Sequence, residues 1–344
     1  MSLEIVPVPL DDEVLFSRWH ATYVAANVHD VGRHHTCWTL PELRVAFEPN
    51  RARAHRAFAG IEGGEVIVSG YLGLPLLDNL ESAGLEVSTK PSARRRGHAT
   101  AMLAVLEEEA RSRGRTRLDS EATFPYDAGT AGAGVPAVAF ADRHGYLLGL
   151  SDVQRELRVP VAEDLLDALA AEAAPHHAAY PLRSFVGRVP DDVVASRLEL
   201  ANSLMTEAPT GEMELEVEAM DLEAFRESEA TLHRQGRVAY RTLALAPDGS
   251  VAAYTDLVTT VHEPGRAYQW GTLVRRADRG HRLGLAVKVA NHRLLQRERP
   301  DIDRVTTFNA EVNAHMIGVN DRLGFVPVAR LGEFQKRLTG TAPT

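Results

Sequence analysis

Cysteine is almost absent. Cys37 stands alone in 344 residues, so no intrachain disulfide can form and packing must supply the stability. Lysine is nearly as scarce, with Lys90, Lys288 and Lys336 the only three among 38 cationic side chains. With abundant alanine, that bias reads as the mark of a GC-rich genome and carries no chemistry. No apolar run reaches the length that a membrane-crossing helix needs. The first residues, MSLEIVPVPLDDE, are acidic and hold no apolar signal core. A cytoplasmic location without a membrane partner is the expectation. A surplus of cations is missing too: the formal net charge is −9, which argues against nucleic acid as the main partner.

What is present is a globular composition, 44% hydrophobic and 25% charged. The length exceeds one ordinary core and fits two. Along the chain one order of elements occurs twice. The first half reads as a strand (LEIVPV), a helix from Asp11, a second helix near Thr39, then strands HRAFAGIE, EVIVSGYLGL and LEVST. A basic glycine-bearing loop follows, then a helix with Ala99, Leu103, Leu106 and Ala110 on one side, a strand (RTRLDSEA), a helix near Pro136 and closing strands. From Tyr180 the series restarts and ends in RVTTFNA, a helix over NAHMIGVNDRLG and the strand FVPVARL. Between the halves, Pro160 to His177 reads as a helix with Val161, Leu165, Leu166, Leu169 and Ala173 on one side. The expected organisation is an α/β chain of two tandem domains, 1–159 and 179–344, joined by a linker helix over 160–178. Each domain is expected to be a twisted mixed sheet with helices on both faces.

The two basic loops are the chemical signal. Arg94-Arg95-Arg96-Gly97-His98-Ala99-Thr100 and Arg279-Gly280-His281-Arg282-Leu283-Gly284 each follow a strand and open an amphipathic helix. A helix start exposes unpaired N–H groups, and glycine lets the backbone close around an anion, so a phosphate fits there. Strand, [Q/R]-x-x-G-x-[G/A], helix, strand, helix and a terminal G-[F/Y] resembles the pyrophosphate motif of the GCN5-related N-acetyltransferases. Arg94, Gly97 and Ala99 fill the motif in the first half. The second half keeps Arg279 and Gly284 but carries Arg282 at the middle position. That form, with TTFNAEVNAHMIGVNDRLGF, is similar to the second half of tandem acetyltransferases of an actinobacterial two-domain type.

The resemblance implies acetyl-CoA as co-substrate, without a metal, and a small-molecule amine as acceptor. It implies two splayed parallel strands in each half, Leu85–Thr89 with Arg117–Ala122 and Gln269–Val274 with Val305–Asn309. The coenzyme arm would pair along the first of each, at Val87, Thr89, Thr272, Leu273 and Val274. Asn309 and Asn313 are further candidates for coenzyme contact, although either asparagine also suits a helix cap. The family often keeps a tyrosine four residues before the final glycine to protonate the departing thiolate. Here those positions hold Ala141 and Asn320.

For the base that takes the amine proton, Asp256 and Glu86 are the leading candidates, with Asp78, Glu81 and Glu263 behind them. Tyr126, Tyr254 and Tyr268 suit either an acid or packing. His29, His34, His35 and Cys37 match no common zinc spacing; that segment suits a lid over the acceptor or a polar loop. Because Thr272, Asn309, Asn313 and Asn320 lie near the implied thioester, the second half is expected to carry the chemistry, with Asp256 as base and Asn320 near the sulfur. A coenzyme A-binding protein without turnover is the alternative. A monomer or a homodimer is expected.

Overall fold

Gly63 and Gly64 both take positive φ, 60° and 81°, a region that side-chain-bearing residues enter only at a cost. They turn β2 (Arg53–Glu62) into β3 (Glu65–Pro75) as an antiparallel hairpin. The computed structural model describes residues 2–203, 211–214, 216 and 220–338, and this hairpin belongs to the first of its two units. That unit comprises Met1–Asp152, Thr210–Glu216 and Ala329–Thr344. β1 (Glu4–Pro7) flanks β2, and β4 (Ser82–Thr89) flanks β3, all antiparallel. α3 (His98–Ser112) then leads to β5 (Arg117–Pro125), which lies parallel to β4.

Alternation gives this mixed sheet two apolar faces. Val68, Leu72, Leu85 and Leu118 pack with Met102, Leu103 and Leu106 of α3 and with Val138 and Phe140 of α4 (Pro136–Arg143). On the other face Ala57, Ala59 and Val66 meet Phe16 and Trp19 of α1 (Glu13–Val31), beside Leu40 and Leu43 of α2 (Leu40–Ala46). Asp12 caps α1 by accepting the Leu15 N–H at 2.9 Å. Thr39 and Glu42 form a reciprocal capping box on α2. The helices read from Asp11 and near Thr39 thus begin at Glu13 and Leu40, each directly after its cap.

The chain leaves the first unit within β6 (Leu147–Arg158) and enters the second, Val153–Pro209 with Val217–Val328. There α5 (Glu163–Ala173) is followed by β7 (Leu182–Val186), α6 (Val194–Asn202) and α7 (Leu222–Arg234). β8 (Arg237–Leu245), β9 (Val251–Thr260) and β10 (Arg266–Val274) come next, with β7 to β10 pairing antiparallel in order. α8 (Leu283–Glu298) then leads to β11 (Arg304–Ala310), parallel to β10. α9 (Ala314–Leu323) and β12 (Val326–Arg337) end the described chain. The parallel pair bridged by a helix thus occurs in both units.

Two segments differ from their reading in the sequence. The closing strand read into the second half returns to the first unit: Ala329–Arg337 of β12 pairs antiparallel with Pro125–Arg117 of β5. Its apolar alternation suits any sheet edge, and Phe334, buried beside Leu118 and Tyr146, sets the partner. The 160–178 segment is also more than a connector. Val161, Leu166, Leu169 and Ala173 share the second unit's core with Leu285, Val289 and Leu294 of α8; Leu165, read on the same side, is exposed.

Lys288 on α8 is only 1% exposed, with Nζ donating to Asn320 Oδ1 at 2.9 Å. Burial lowers its amine to about 7.

Phe334→Ala should lower the stability of the first unit by about 3–5 kcal/mol, read as a shift in its chemical-denaturation midpoint; a loss below about 1 kcal/mol would leave the strand without its core role. Lys288 binds its proton more weakly folded than unfolded, so its contribution to stability should rise with pH from about 7 toward 10.5. Lys288→Met should remove that slope and be most stabilising, relative to wild type, at or below pH 7.

Candidate functional site

The two basic loops share one backbone shape. In the first, Arg95 and Gly97 take φ of 65° and 85°; in the second, Gly280 and Arg282 take 89° and 51°. Each loop therefore needs two left-handed residues, two apart, immediately before its helix. Glycine relieves the second position in one loop and the first in the other. The irregular second motif is the same turn with its glycine moved, and each loop carries one left-handed arginine at a cost of about 1–2 kcal/mol.

The side chains of the two loops are engaged differently. Arg94 donates to Asp30 at 2.6 and 3.0 Å and to the carbonyls of Thr89 and Ala26, which sews the first loop to α1. Arg95, Arg96 and Gly97 remain exposed, with Arg96 3.7 Å from Glu62. Thr100 Oγ1 lies 3.2 Å from His144 Nε2. In the second loop Arg282 pairs with Glu172 of α5, and His281 Nδ1 lies 3.1 Å from the His176 carbonyl. Leu283 is buried at the helix start, and Gly284 faces Val274.

Beside each loop the parallel pair comes apart. The β4–β5 register ends at Leu85 and Ser120, while β4 runs on through Val87 to Thr89. The β10–β11 register ends at Tyr268 and Thr306. β10 continues past an irregularity between Gln269 and Thr272, where Thr272, Leu273 and Val274 pair with β9. In the first unit Thr89 Oγ1 and His98 Nε2 are buried without a hydrogen-bond partner. Unpartnered polar atoms, a free strand edge and an exposed helix start suit an extended polar arm ending in phosphates.

Glu86 is the first residue of β4 beyond the paired stretch, and it faces a cavity of about 430 Å³. Six rings line that space: Trp19, Tyr23, Trp38, Phe47, His55 and Tyr71. Their polar tips are used in the wall itself. Trp19 Nε1 donates to the Gly70 carbonyl at 3.0 Å, Trp38 N donates to Tyr23 Oη at 3.3 Å, and His55 Nδ1 lies 2.7 Å from Tyr71 Oη. Burial raises the Glu86 carboxyl to about 7, with the Glu121 charge adding to the rise. Ser88 Oγ at 3.0 Å and Asn27 Nδ2 at 3.4 Å donate to it and hold the rise in check. Such a group changes charge near neutrality inside an apolar pocket, as a general base requires.

The corresponding place in the second unit is filled. Eight residues before the leading loop arginine stands Glu86 in one unit (before Arg94) and Gly271 in the other (before Arg279). A Cβ at Gly271 would sit 3.2 Å from Tyr254 Oη, and the Arg197 guanidinium lies over the Tyr254 ring at 3.2 Å. Asp256 accepts from Arg197 Nη2 at 2.9 Å, both buried. The acid weighed as base in the sequence is thus half of a buried ion pair.

The asparagines form a set of their own. Asn320 Nδ2 donates to Asn309 Oδ1 at 2.5 Å while its Oδ1 accepts from Lys288; Asn313 caps α9 by accepting from Met316 N. Thr272 Oγ1 lies 2.7 Å from Thr255 Oγ1. Glu263 holds Tyr268 Oη at 2.7 Å and Arg266 at 3.4 Å, and Tyr126 lies under Arg330. No group of His, Cys, Asp and Glu suited to a metal occurs among the described residues. The sequence reading missed the aromatic wall: Trp19 and Tyr23 lie within the helix read from Asp11, Trp38 directly follows the segment read as a lid, and Phe47 lies ten residues past it.

Comparisons with known proteins agree with this architecture. Residues 21–146 match the model of the acetyltransferase (GNAT) family. The whole chain is similar to a tandem GNAT protein from the clavulanic acid biosynthesis pathway, in a structure without AcCoA. Identity is 28% and the TM-score 0.78, over 99% of this chain and 100% of that one. A GCN5-related N-acetyltransferase from Sphaerobacter thermophilus shares the fold at 14% identity and TM-score 0.64, covering 97% and 95%. So does a fungal glucosamine N-acetyltransferase region within a multi-domain beta-N-acetylglucosaminidase, at 13% and 0.62, covering 97% and 38%. No curated protein matches. The chain therefore carries a GNAT-family domain at residues 21–146, and along its full length it is similar to a tandem GNAT protein.

Proposed function

We propose that the first unit transfers an acetyl group from acetyl-CoA to the primary amine of a small molecule, with Glu86 as the general base. The observation that carries this reading is the position of Glu86. It is the first β4 residue past the paired stretch, it opens into an aromatic-walled cavity of about 430 Å³, and its carboxyl is raised to about 7. Cavities of this size and lining hold small ligands.

Acetyl-CoA supplies an activated acyl carbonyl when bound. Backbone groups of Val87 and Thr89 on the free edge of β4 would hold its extended arm. The N–H groups at the start of α3, from Gly97 to Thr100, would hold its diphosphate, flanked by Arg95 and Arg96. In the cavity, Glu86 takes a proton from the acceptor ammonium. The freed nitrogen pair forms the new C–N bond as the C–S bond breaks, the nitrogen then gives its second proton to water, and the sulfur leaves with its electron pair. Ala141 offers that sulfur no proton, so water supplies it; a thiol with pKa about 8.5 leaves tolerably well as thiolate.

Coenzyme binding without turnover is the second reading, and Ala141 in place of an acid favours it. Free-thiol release with a panel of amines separates the two. Where an amine is turned over, Glu86→Gln should lower kcat tenfold or more, about 1.4 kcal/mol of barrier, and Asp256→Asn should change kcat less than threefold. The reverse ranking would move the chemistry to the second unit. kcat/KM should rise with pH through about 7 as Glu86 ionises, and Glu86→Gln should flatten that limb. Calorimetric titration with acetyl-CoA should weaken at least tenfold in Gly97→Glu, where a carboxylate would face the diphosphate; unchanged affinity there would remove the first loop from the coenzyme site.

A further inference from the structure

One face of the first unit's sheet carries a gradient of charge. The register sets Ala57 opposite Tyr71, and Tyr71 opposite Glu86. Gly84 lies opposite Asp119, and Glu121 opposite Glu333. Two-residue alternation then puts Arg53, His55, Tyr71, Glu86, Glu121 and Glu333 on the same face. Reading across from β2 to β12, the face is cationic at Arg53, aromatic in the middle and acidic at its far side.

The two ends are not neutralised by each other. Arg53 lines the cavity from its exposed rim, and its side chain makes no hydrogen bond or ion pair with any described residue. Glu86 is held by Ser88 and Asn27. His55, two residues from Arg53, is uncharged at neutral pH, because burial and the Arg53 charge lower its imidazole to about 4. Arg53 is therefore the cation that faces this part of the cavity. Beyond Glu86 the carboxylates crowd one another, and Glu333 is pushed up to about 7 by burial and by Asp152 and Glu121. An anionic group on a ligand would be repelled from that side and attracted to the Arg53 rim.

We infer that the acceptor is amphoteric: a primary amine at Glu86, an apolar or aromatic body against the ring wall, and a carboxylate at Arg53. The inference rests on the reading of this cavity as the acceptor site. Four residues along a strand and two strand spacings across place the Cα atoms of Arg53 and Glu86 about 16 Å apart. Strand side chains on one face stand roughly perpendicular to the sheet, so their heads keep a comparable separation, wider than the amine-to-carboxylate distance of an α-amino acid. A ring or short chain between the two groups fits that span, and an aromatic body has six rings to meet.

The test uses the full chain, acetyl-CoA and a matched pair of probes, 4-(aminomethyl)benzoate and benzylamine, followed by thiol release. The wild type should prefer the carboxylate probe at least tenfold in kcat/KM, mainly through KM. Arg53→Gln should bring the ratio near one, and Arg53→Lys should keep the larger part of it. A wild-type ratio near one, or a ratio untouched by Arg53→Gln, would overturn the inference while leaving the site reading in place. Quenching of Trp19 and Trp38 fluorescence gives a second readout independent of turnover. Arg53-dependent binding of the carboxylate probe without thiol release would support the amphoteric site and overturn acetyl transfer there. No quenching by either probe would overturn both.

Discussion

The parallel ladder between β4 and β5 stops at Leu85 and Ser120, and the chemistry proposed for the first unit depends on that ending. A strand pair can part only if each strand stays paired on its outer edge, because an unpaired buried backbone is costly. β4 keeps β3 as far as Thr89, paired with Val68, and β5 keeps β12 from Arg117 to Pro125. The return of the chain's last strand to the first unit is therefore what lets β5 leave β4 without losing its ladder. The opening costs only the inner hydrogen bonds, which an extended ligand replaces. Alternation then does the rest: Leu85 turns into the α3 core while Glu86 turns to the opposite face, where α1 and the residues flanking α2 supply rings.

Duplication copied this frame and changed its contents. The second unit repeats the parallel pair, the bridging helix and the two left-handed loop positions. It has Gly271 where the first has Glu86. Aligned on the loops, Tyr254 and Asp256 stand where the first unit has Ser69 and Tyr71. Arg197 closes over them as a buried pair with Asp256. A buried ion pair adds little net stability, yet removing one partner strands the other. In the opening itself, Lys288, Asn309 and Asn320 bond to one another, at places where the first unit has Leu103, Ala122 and Ala141. Of the polar groups that suggested catalysis in the sequence, Asn309 and Asn320 thus bond to each other and Asn313 caps α9.

Much of this was legible in the sequence, and the limits were physical. The helix starts read from Asp11 and near Thr39, and the inward helix positions of α3, are local features, so the sequence reports them closely. The turns of the two basic loops were readable because glycine reports backbone shape. That signal is weaker at Arg282, where a left-handed arginine does what glycine does elsewhere. Strand partners are not local: β12 alternates as any edge strand would, and only Phe334 against the first core assigns it. The aromatic wall was hidden because Trp19, Trp38, His55 and Tyr71 come from four elements, and each alone reads as packing. Asp256 and Glu86 looked equivalent as strand carboxylates. What separates them is Arg197, 59 residues from Asp256 in the chain.

The ring wall and the raised carboxyl have a single origin. The rings exclude water from Glu86, and that exclusion disfavours its charged form. A fully dry carboxyl would stay protonated and could take no proton from an amine. The Ser88 hydroxyl and Asn27 amide, both donating to Oε1, favour the ionised form and bring the balance back to near neutrality. With Glu86 as the proposed base, the same wall that tunes it would also select what approaches it, because an acceptor must offer an apolar surface in place of the water it displaces. Base strength and acceptor choice are therefore coupled. A substitution that opens the wall to water would lower the Glu86 pKa and weaken the grip on an apolar acceptor together, whereas one at Arg53 would change the acceptor preference and leave the causes of the Glu86 shift in place.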